Sequence, residues 1–540
     1  MNFWTLKNFS ILIVDDFAEI RSMLRLMIIN FGAADVHAVK TGEEAIALMR
    51  KKHFHIVLCD YNLGPAKDGQ QVLEEARHKK LLLPTDLFIM ITAEKSSYMV
   101  MGAIEYYPDD YLSKPFTRAT LLHRLRKLIQ AKEACREILL AQARNDLELA
   151  LRLCDQAISE GSKHRQSIRK IKAELLLQSG NYEEARELYQ SIVDERELHW
   201  AMTGLAQSHF FLGDDDGAEE ILCQVIDSNT NYMEAYDWLA KLYIKKETPK
   251  KAQEVLLKAT EKSPKSLLRQ RQLGEISLEL NEYETSRKAF QAAVEHGTHS
   301  CYKKKGDYAG LSKAQLGCGR DEEAIRTAES ISRKFPHDQH SDTYAQALVC
   351  NLLHRMNPGD DTRQRLDAVL ESLDQQEQAL PDELALLLAE TCLQNGKTEA
   401  AERYIKDLVR NNHNDTQLIR QAKKIYAEAG LAAQGEKLVT TAQTEVIDLN
   451  NQGVQLAEAG QFEDSIDLFI KACAAMPGNL TILLNAIQSL LLSAQHCGVD
   501  EDKLKMIKDY LQRAREIDGN NPKYLGLLDH YKKLATDDAA

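Results

Sequence analysis

Four short stretches carry side chains that could do chemistry together: Asp15-Asp16, Asp60, Thr92 with the small Ala93 after it, and Ser113-Lys114-Pro115. The first three follow mainly apolar runs at residues 11–14, 55–59 and 87–91, and the last follows a short strand expected near 110–112. If these runs are neighbouring parallel strands, their carboxyl ends bring three carboxylates, a hydroxyl and an ammonium to one sheet edge, where ligands of such sheets sit. Three carboxylates in one place repel unless a cation lies among them. A hard, oxygen-seeking ion such as Mg²⁺, which keeps several of its waters, suits that set. It would also neutralise charge while a phosphoryl group is transferred to one carboxylate. Thr92 and Lys114 would then contact the phosphoryl oxygens.

The elements that must position these groups alternate strand and helix over the first 130 residues. Residues 11–14 (Ile-Leu-Ile-Val) form a continuous apolar run, as in a strand buried on both faces. Helical spacing follows over 18–31, carried by Ile20, Met23, Leu24, Met27 and Ile28. A weaker strand is expected at 35–39, a helix over 41–52, a strand at 55–59, a helix over 70–79 and a strand at 87–91. A short helix near 96–104, a strand near 110–112 and a helix over 117–130 complete five β–α units. The pattern predicts an α/β doubly wound, five-stranded parallel sheet.

These motifs, in this order and spacing, resemble the receiver domain of two-component response regulators, which has the flavodoxin-like fold. The resemblance covers residues 8–130 and rests on Val14-Asp15-Asp16, Leu58-Cys59-Asp60-Tyr61-Asn62, Ile91-Thr92-Ala93 and Tyr111-Leu112-Ser113-Lys114-Pro115-Phe116. It implies that Asp60 is the phosphoacceptor and forms an aspartyl phosphate. Asp15, Asp16 and Asp60 would hold Mg²⁺, with the backbone carbonyl of Asn62 as a further ligand. Thr92 and Lys114 would bind the phosphoryl group, and Thr92 would couple to Tyr111, the aromatic switch. It also implies a cis Lys114-Pro115 bond, a geometry that only X-Pro bonds adopt cheaply. Two features depart from the family. Its glycine usually stands eight residues after the phosphoacceptor, whereas Gly69 is nine after Asp60, so the loop looks one residue longer. Tyr107-Pro108-Asp109-Asp110 replaces the usual Gly-Ala-Asp-Asp.

From about residue 131 strand signals vanish and helices follow one another. Ala173, Leu176, Gly180, Tyr182, Ala185 and Tyr189 have the same spacing as Gly453, Leu456, Gly460, Phe462, Ser465 and Phe469. Marked by Ala185, Ala218, Ala252 and Ser286, successive steps are 33, 34 and 34 residues. That period is similar to the tetratricopeptide repeat, a helix–turn–helix unit of about 34 residues. The second region, 131–540, is therefore expected to be an all-α superhelical solenoid. Its best matches lie at 166–340 and 382–479, with a degenerate first copy at 131–165. Residues 341–381 are helical but off-pattern, and 480–540 hold an insertion before a final helix pair. Such a stack exposes a long concave surface for a protein client.

Charge and composition narrow the function. Residues 1–130 carry 17 Lys+Arg against 15 Asp+Glu, and the rest 51 against 66. So acidic an array argues against nucleic acid as a partner. No apolar run is long enough for a membrane span, and the ten scattered cysteines read as reduced thiols, so the cytoplasm is expected. Tyr182, Tyr189, Tyr236, Trp238, Tyr243 and Tyr283 read as packing, Asp214-Asp215-Asp216 as a solvated turn, and Lys303-Lys304-Lys305 as an exposed helix start. His53 and His55 flank a strand with no partner motif. No phosphate-binding loop, nucleophile elbow or zinc-protease helix is present, and no helix-turn-helix follows the receiver. The leading expectation is a phosphoacceptor, not an enzyme, whose repeats hold an unknown protein client under the control of a histidine kinase or phosphotransfer protein. The alternative is a phosphorelay modulator that occupies a sensor kinase or phosphotransfer protein and competes with another regulator. An enzyme hidden in 341–381 or 480–540, or an RNA-binding array, has no motif behind it. The family also pairs through its fourth and fifth helices, so a homodimer is implied; the array joined at 131 would block or reinforce that face.

Overall fold

The computed structural model describes residues 5–93, 108–374, 380–498, 501–519 and 521–537. The helix expected near 96–104 lies outside them. By its contacts the chain divides into two units, Met1–Gly319 and Arg320–Ala540.

The first unit opens with β1 (Ser10–Val14), α1 (Ala18–Ile29), β2 (Asp35–Val39), α2 (Gly42–Met49), β3 (Ile56–Asp60), α3 (Gly69–His78), β4 (Leu87–Thr92), β5 (Asp110–Ser113) and α4 (Arg118–Ala134). The five strands are parallel in the order β2-β1-β3-β4-β5. Strand residues alternate between two cores, because successive side chains point to opposite faces. Leu12, Val14, Val57, Cys59 and Met90 pack with Ala45, Ile46, Val72 and Leu73 of α2 and α3. Ile11, Ile13, Leu58, Ile91 and Leu112 pack with Leu24 and Ile28 of α1 and Leu121 and Leu125 of α4. Helix α4 outruns the expected 117–130: nothing breaks its sequence there, and it reaches Ala134 before the next helix starts at Arg136.

Helices then follow in antiparallel pairs: α5 (Arg136–Ala143), α6 (Leu147–Ser159), α7 (Arg165–Gln178), α8 (Tyr182–Glu195), α9 (His199–Leu212), α10 (Asp215–Ser228), α11 (Met233–Lys245), α12 (Pro249–Lys262), α13 (Leu267–Glu279), α14 (Tyr283–His296) and α15 (Lys305–Gly317). A 3₁₀ turn, Gly297–His299, follows α14. The repeat period reappears in the backbone. Asn145, Gly180, Gly213, Glu247 and Asn281 all have positive φ and close the turn inside each pair. Only glycine and asparagine adopt that conformation readily, so Glu247 is the odd member.

The second unit continues with α16 (Asp321–Lys334), α17 (Ser341–Met356), α18 (Asp360–Asp374), α19 (Asp382–Gln394), α20 (Thr398–Asn411), α21 (Thr416–Glu428), α22 (Ala432–Glu458), α23 (Phe462–Ala475), α24 (Leu480–Cys497), α25 (Glu501–Asp518) and α26 (Pro522–Asp537). Here α22 runs 27 residues without a break where a regular repeat would turn. No proline interrupts it, and Gly435 and Gly453 sit inside it, against the rings of Tyr426 and Phe469. Two repeats, one in each unit, share one geometry. Ser286 Oγ donates to the Gly274 carbonyl and Ser465 Oγ to the Gly453 carbonyl, each at 2.8 Å. A side chain at either glycine would run into Phe290 or Phe469.

Several minor expectations resolve in the same terms. Asp214 caps α10 by accepting from the Gly217 amide, while Asp215 and Asp216 pair with Lys245 and Lys246. Lys305 is buried, contrary to the exposed helix start expected. The first turn of α15 faces α13, where Arg271 grips the neighbouring Asp307 carboxylate at 2.6 and 2.8 Å. His53 and His55 do have partners: His53 pairs with Asp86 at 2.8 Å, and His55 Nδ1 accepts from the Ser10 amide. Both lie at the sheet edge opposite the acidic residues. Among the described residues, no helix is long and apolar enough to cross a membrane.

Candidate functional site

Strand order reverses between β1 and β3, and the acidic residues stand at that point. β1 ends at Val14, placing Asp15 and Asp16 beyond it, and β3 ends on Asp60 itself. Such a crevice at the carboxyl ends is where open parallel sheets take ligands. One carboxylate oxygen from each of Asp15, Asp16 and Asp60 lies within 4.8 Å of the others. Lys114, arriving from the end of β5, places its ammonium 2.9 Å from Asp15 Oδ2 and 3.2 Å from Asp60 Oδ1. The Lys114-Pro115 bond is cis, and the Lys114 amide donates to the Thr92 carbonyl at 2.7 Å.

These charges are not balanced by protein alone. Two carboxylates at this separation repel by roughly 3 kcal/mol at an effective dielectric of about 20, and among the described residues the Lys114 ammonium pairs with two of the three. Burial pushes the Asp60 carboxyl up to about 6; the charges of Asp15 and Asp16 add to this and Lys114 opposes it. Asp15 is fixed by other bonds: its Oδ1 accepts from the Phe17 amide at 2.9 Å and its carbonyl from Arg21 at 2.7 Å. Asp16 Oδ1 is buried with no hydrogen-bond partner. An orphaned carboxylate oxygen beside two others is the donor set a hard divalent cation takes, so the residues fit Mg²⁺.

Thr92 is buried at the end of β4, opposite Ser113. Tyr111 lies opposite Met90 and packs, half-buried, on the core shared by Tyr61, Val72 and Leu73. The Asn62 side chain turns back on the loop and accepts from the Gly64 amide. Sequence reasoning noticed the offset of Gly69 but missed what that residue does. Its amide donates to the Tyr61 carbonyl at 2.8 Å, and a Cβ there would stand 2.1 Å from the Asp60 carbonyl oxygen. Arg21 was missed too, and an arginine on a helix gives no signal by itself.

Comparison with known proteins bears on this geometry. Residues 11–126 match the response regulator receiver domain family. Over 126 residues the chain is 32% identical to the chemotaxis protein CheY-3 of Vibrio cholerae serotype O1, covering 94% of that protein and 23% of this one. The chain belongs to the response regulators. Tetratricopeptide repeat families match this response regulator at residues 135–198 and 234–266, the first spanning the stretch read as a degenerate copy. Among solved structures, a CheY-like receiver from Methanospirillum hungatei is 27% identical and covers 23% of this chain and 95% of its own, with a TM-score of 0.21. CheY4 of Vibrio cholerae is 27% identical, covering 22% and 97%, with the same score. Receiver domains act as phosphoacceptors, generally bind Mg²⁺ at an acidic pocket, and interact with histidine kinases or phosphotransfer proteins.

Proposed function

We propose that Asp60 of this response regulator accepts a phosphoryl group from a histidine kinase or phosphotransfer protein in the cytoplasm, and that the state of Asp60 controls which protein the repeats hold. In this reading a receiver of residues 1–130 acts on an array of residues 131–540, and the output is protein binding and not DNA binding. The observation that carries it is the trio of carboxylates within 4.8 Å with Lys114 on two of them and an unpartnered oxygen on Asp16.

Asp15, Asp16, Asp60 and the Asn62 carbonyl would hold Mg²⁺, which when bound supplies charge neutralisation at the phosphoryl oxygens. An Asp60 carboxylate oxygen forms the new bond to phosphorus as the bond from phosphorus to the donor imidazole breaks, and the leaving nitrogen keeps the electron pair. Lys114 follows the charge as it moves outward from Asp60, and the Thr92 hydroxyl donates to a phosphoryl oxygen. Thr92 then biases Tyr111, whose ring packs on the α3 side of the sheet.

The test is phosphorylation of the full chain by a small phosphoramidate donor, read by intact mass and peptide mapping. One added phosphoryl group on the Asp60 peptide, lost with EDTA and absent in Asp60→Asn, is expected. No modification with Mg²⁺ and donor in excess refutes the reading. Clients are then compared with and without beryllofluoride. A client set that ignores the mimic but contains a sensor kinase favours the competing modulator.

A further inference from the structure

Among the described residues, the receiver meets the repeats in two places within the first unit. One meeting is the covalent junction, where α4 passes into α5. The other joins the loop after Asp60, together with α3, to residues 265–302, which lie 204 to 232 positions further along the chain. Lys265 Nζ lies 3.5 Å from the Tyr61 hydroxyl and 5.4 Å over its ring centre. Lys67 donates to the His299 carbonyl at 2.7 Å, and Gln71 to the His296 carbonyl at 3.1 Å. These acceptors belong to the last residue of α14 and the turn after it, the negative end of a helix, where a cation is favoured. Glu74, only 4% exposed, accepts from the Ser300 hydroxyl and from the Cys301 amide at 3.2 Å. The rings of His78 and Tyr302 meet edge-on at 5.1 Å.

This contact leads straight to the phosphoacceptor. Tyr61 and Asn62 follow Asp60 in the chain, and Gly69 at the far end of the loop is pressed against the Asp60 carbonyl. The loop is held at Asp60 on one side and by the repeats on the other. Tyr111 packs on the same core as Tyr61, Val72 and Leu73, so a movement of its ring also reaches α3. The contact is made mainly of polar bonds and borders a cleft of about 270 Å³ lined in part by Asn62, Asp68, Gln70, Lys265 and His296. Gln70 Oε1 is buried there without a hydrogen-bond partner. A polar, incompletely filled surface with a buried carboxylate can separate and rehydrate, unlike a core.

We propose that the surface formed by the loop 61–69 and α3 is where the repeats sense Asp60, docking through Glu74, Lys67 and Tyr61 onto residues 265–302. The inference rests on Asp60 being the phosphoacceptor. Coupling between sites is reciprocal, so the state of Asp60 alters the dock, and loosening the dock alters ligand binding at Asp60.

The experiment follows amide hydrogen exchange in the full chain as beryllofluoride is titrated in the presence of Mg²⁺. Wild type is compared with Asp60→Asn, Glu74→Ala, and the paired array-side variant Ser300→Ala with Lys265→Met, which leaves the receiver sequence intact. Expected is a change of protection at residues 296–302 in wild type that Asp60→Asn abolishes. Both dock variants should shift the apparent beryllofluoride affinity by roughly fivefold or more, the lower range of allosteric couplings. If amides of β1 and β3 respond, residues 296–302 do not, and the array-side variant binds as wild type does, the dock is not the sensing surface. If β1 and β3 themselves do not respond, the phosphoacceptor reading fails first and takes this inference with it.

Discussion

Replacing Gly69 by alanine sets two opposed effects against each other, and the geometry decides between them. Gly69 is the first residue of α3 and has negative φ, so alanine should gain about 0.5–1 kcal/mol from the lower entropy of the unfolded chain. Against this, the new Cβ would stand 2.1 Å from the Asp60 carbonyl oxygen and 3.0 Å from Tyr61 Cα. A carbon–oxygen contact needs about 3.3 Å, so the backbone must part by more than roughly 1 Å. No rotamer can relieve it, because β3 is held by β1 on one side and β4 on the other. Overpacking costs about 1–3 kcal/mol where side chains can adjust. With backbone on both sides the upper end applies, for a net loss of about 2 kcal/mol after the entropic gain. Hydrogen exchange of the β3 amides should therefore quicken by about 30-fold, and Mg²⁺ should bind more weakly as Asp60 shifts. Gly64→Ala is the comparator: it has φ of +90° with no atom within 4 Å of the new Cβ, so it should strain its own turn and leave β3 protection unchanged. Unchanged or increased β3 protection in Gly69→Ala would refute the reasoning.

Three further outcomes are expected. Lys114→Met removes the ammonium shared by Asp15 and Asp60. It should slow phosphoryl transfer by about 100-fold while tightening Mg²⁺ binding, read by donor kinetics and calorimetry. Glu247→Gly relieves a positive φ of 53° at an exposed turn. It should raise array stability by about 0.5–1 kcal/mol in urea melts followed by Trp200 and Trp238 fluorescence. Burial alone would lift the Glu75 carboxyl, but hydrogen bonds from Lys67 and Lys79 outweigh it and hold the group at about 2 rather than 4.5. Its contribution, of order 2 kcal/mol with the half-exposed Lys79 discounted, is present above pH 4.5 and fades as pH falls towards 2. Exchange of α3 amides should separate wild type from Glu75→Gln at pH 6 and not at the acid end, and a constant gap would contradict the pairing.

The sheet and its acidic edge were legible because Asp15, Asp60 and Thr92 each follow a mainly apolar run of strand length. Asp60 illustrates this: four buried residues precede it, and the turn begins after it. The repeat period was legible through small residues such as Ala185 and Ser286, which packing forbids from being larger. What stayed hidden depends on distance in the chain. Lys67, Gln71 and Glu74 look like a solvated surface, and only the return of residues 265–302 shows what they face. Helix limits were hidden for a different reason: 118–134 and 432–458 simply contain no residue that stops a helix where the pattern expects one. The turn at Glu247 carries no sequence mark, since its neighbouring repeats place Gly213 and Asn281 there.

The double attachment of the repeats has a mechanical consequence. A stack of helix pairs bends by small rotations summed over its length, and here the arc from α5 to α14 is fastened to the receiver at both ends, like a bow strung by α3. Its curvature is therefore a property of the whole arc. A client that spreads any two pairs along it pulls on the string, and one that closes them slackens it. The string can be weak and still hold, because the arc keeps its two ends at high local concentration. Adding or deleting a single helix pair between α5 and α12 would leave every repeat able to fold, yet would carry Lys265 and Ser300 away from α3 and unstring the bow.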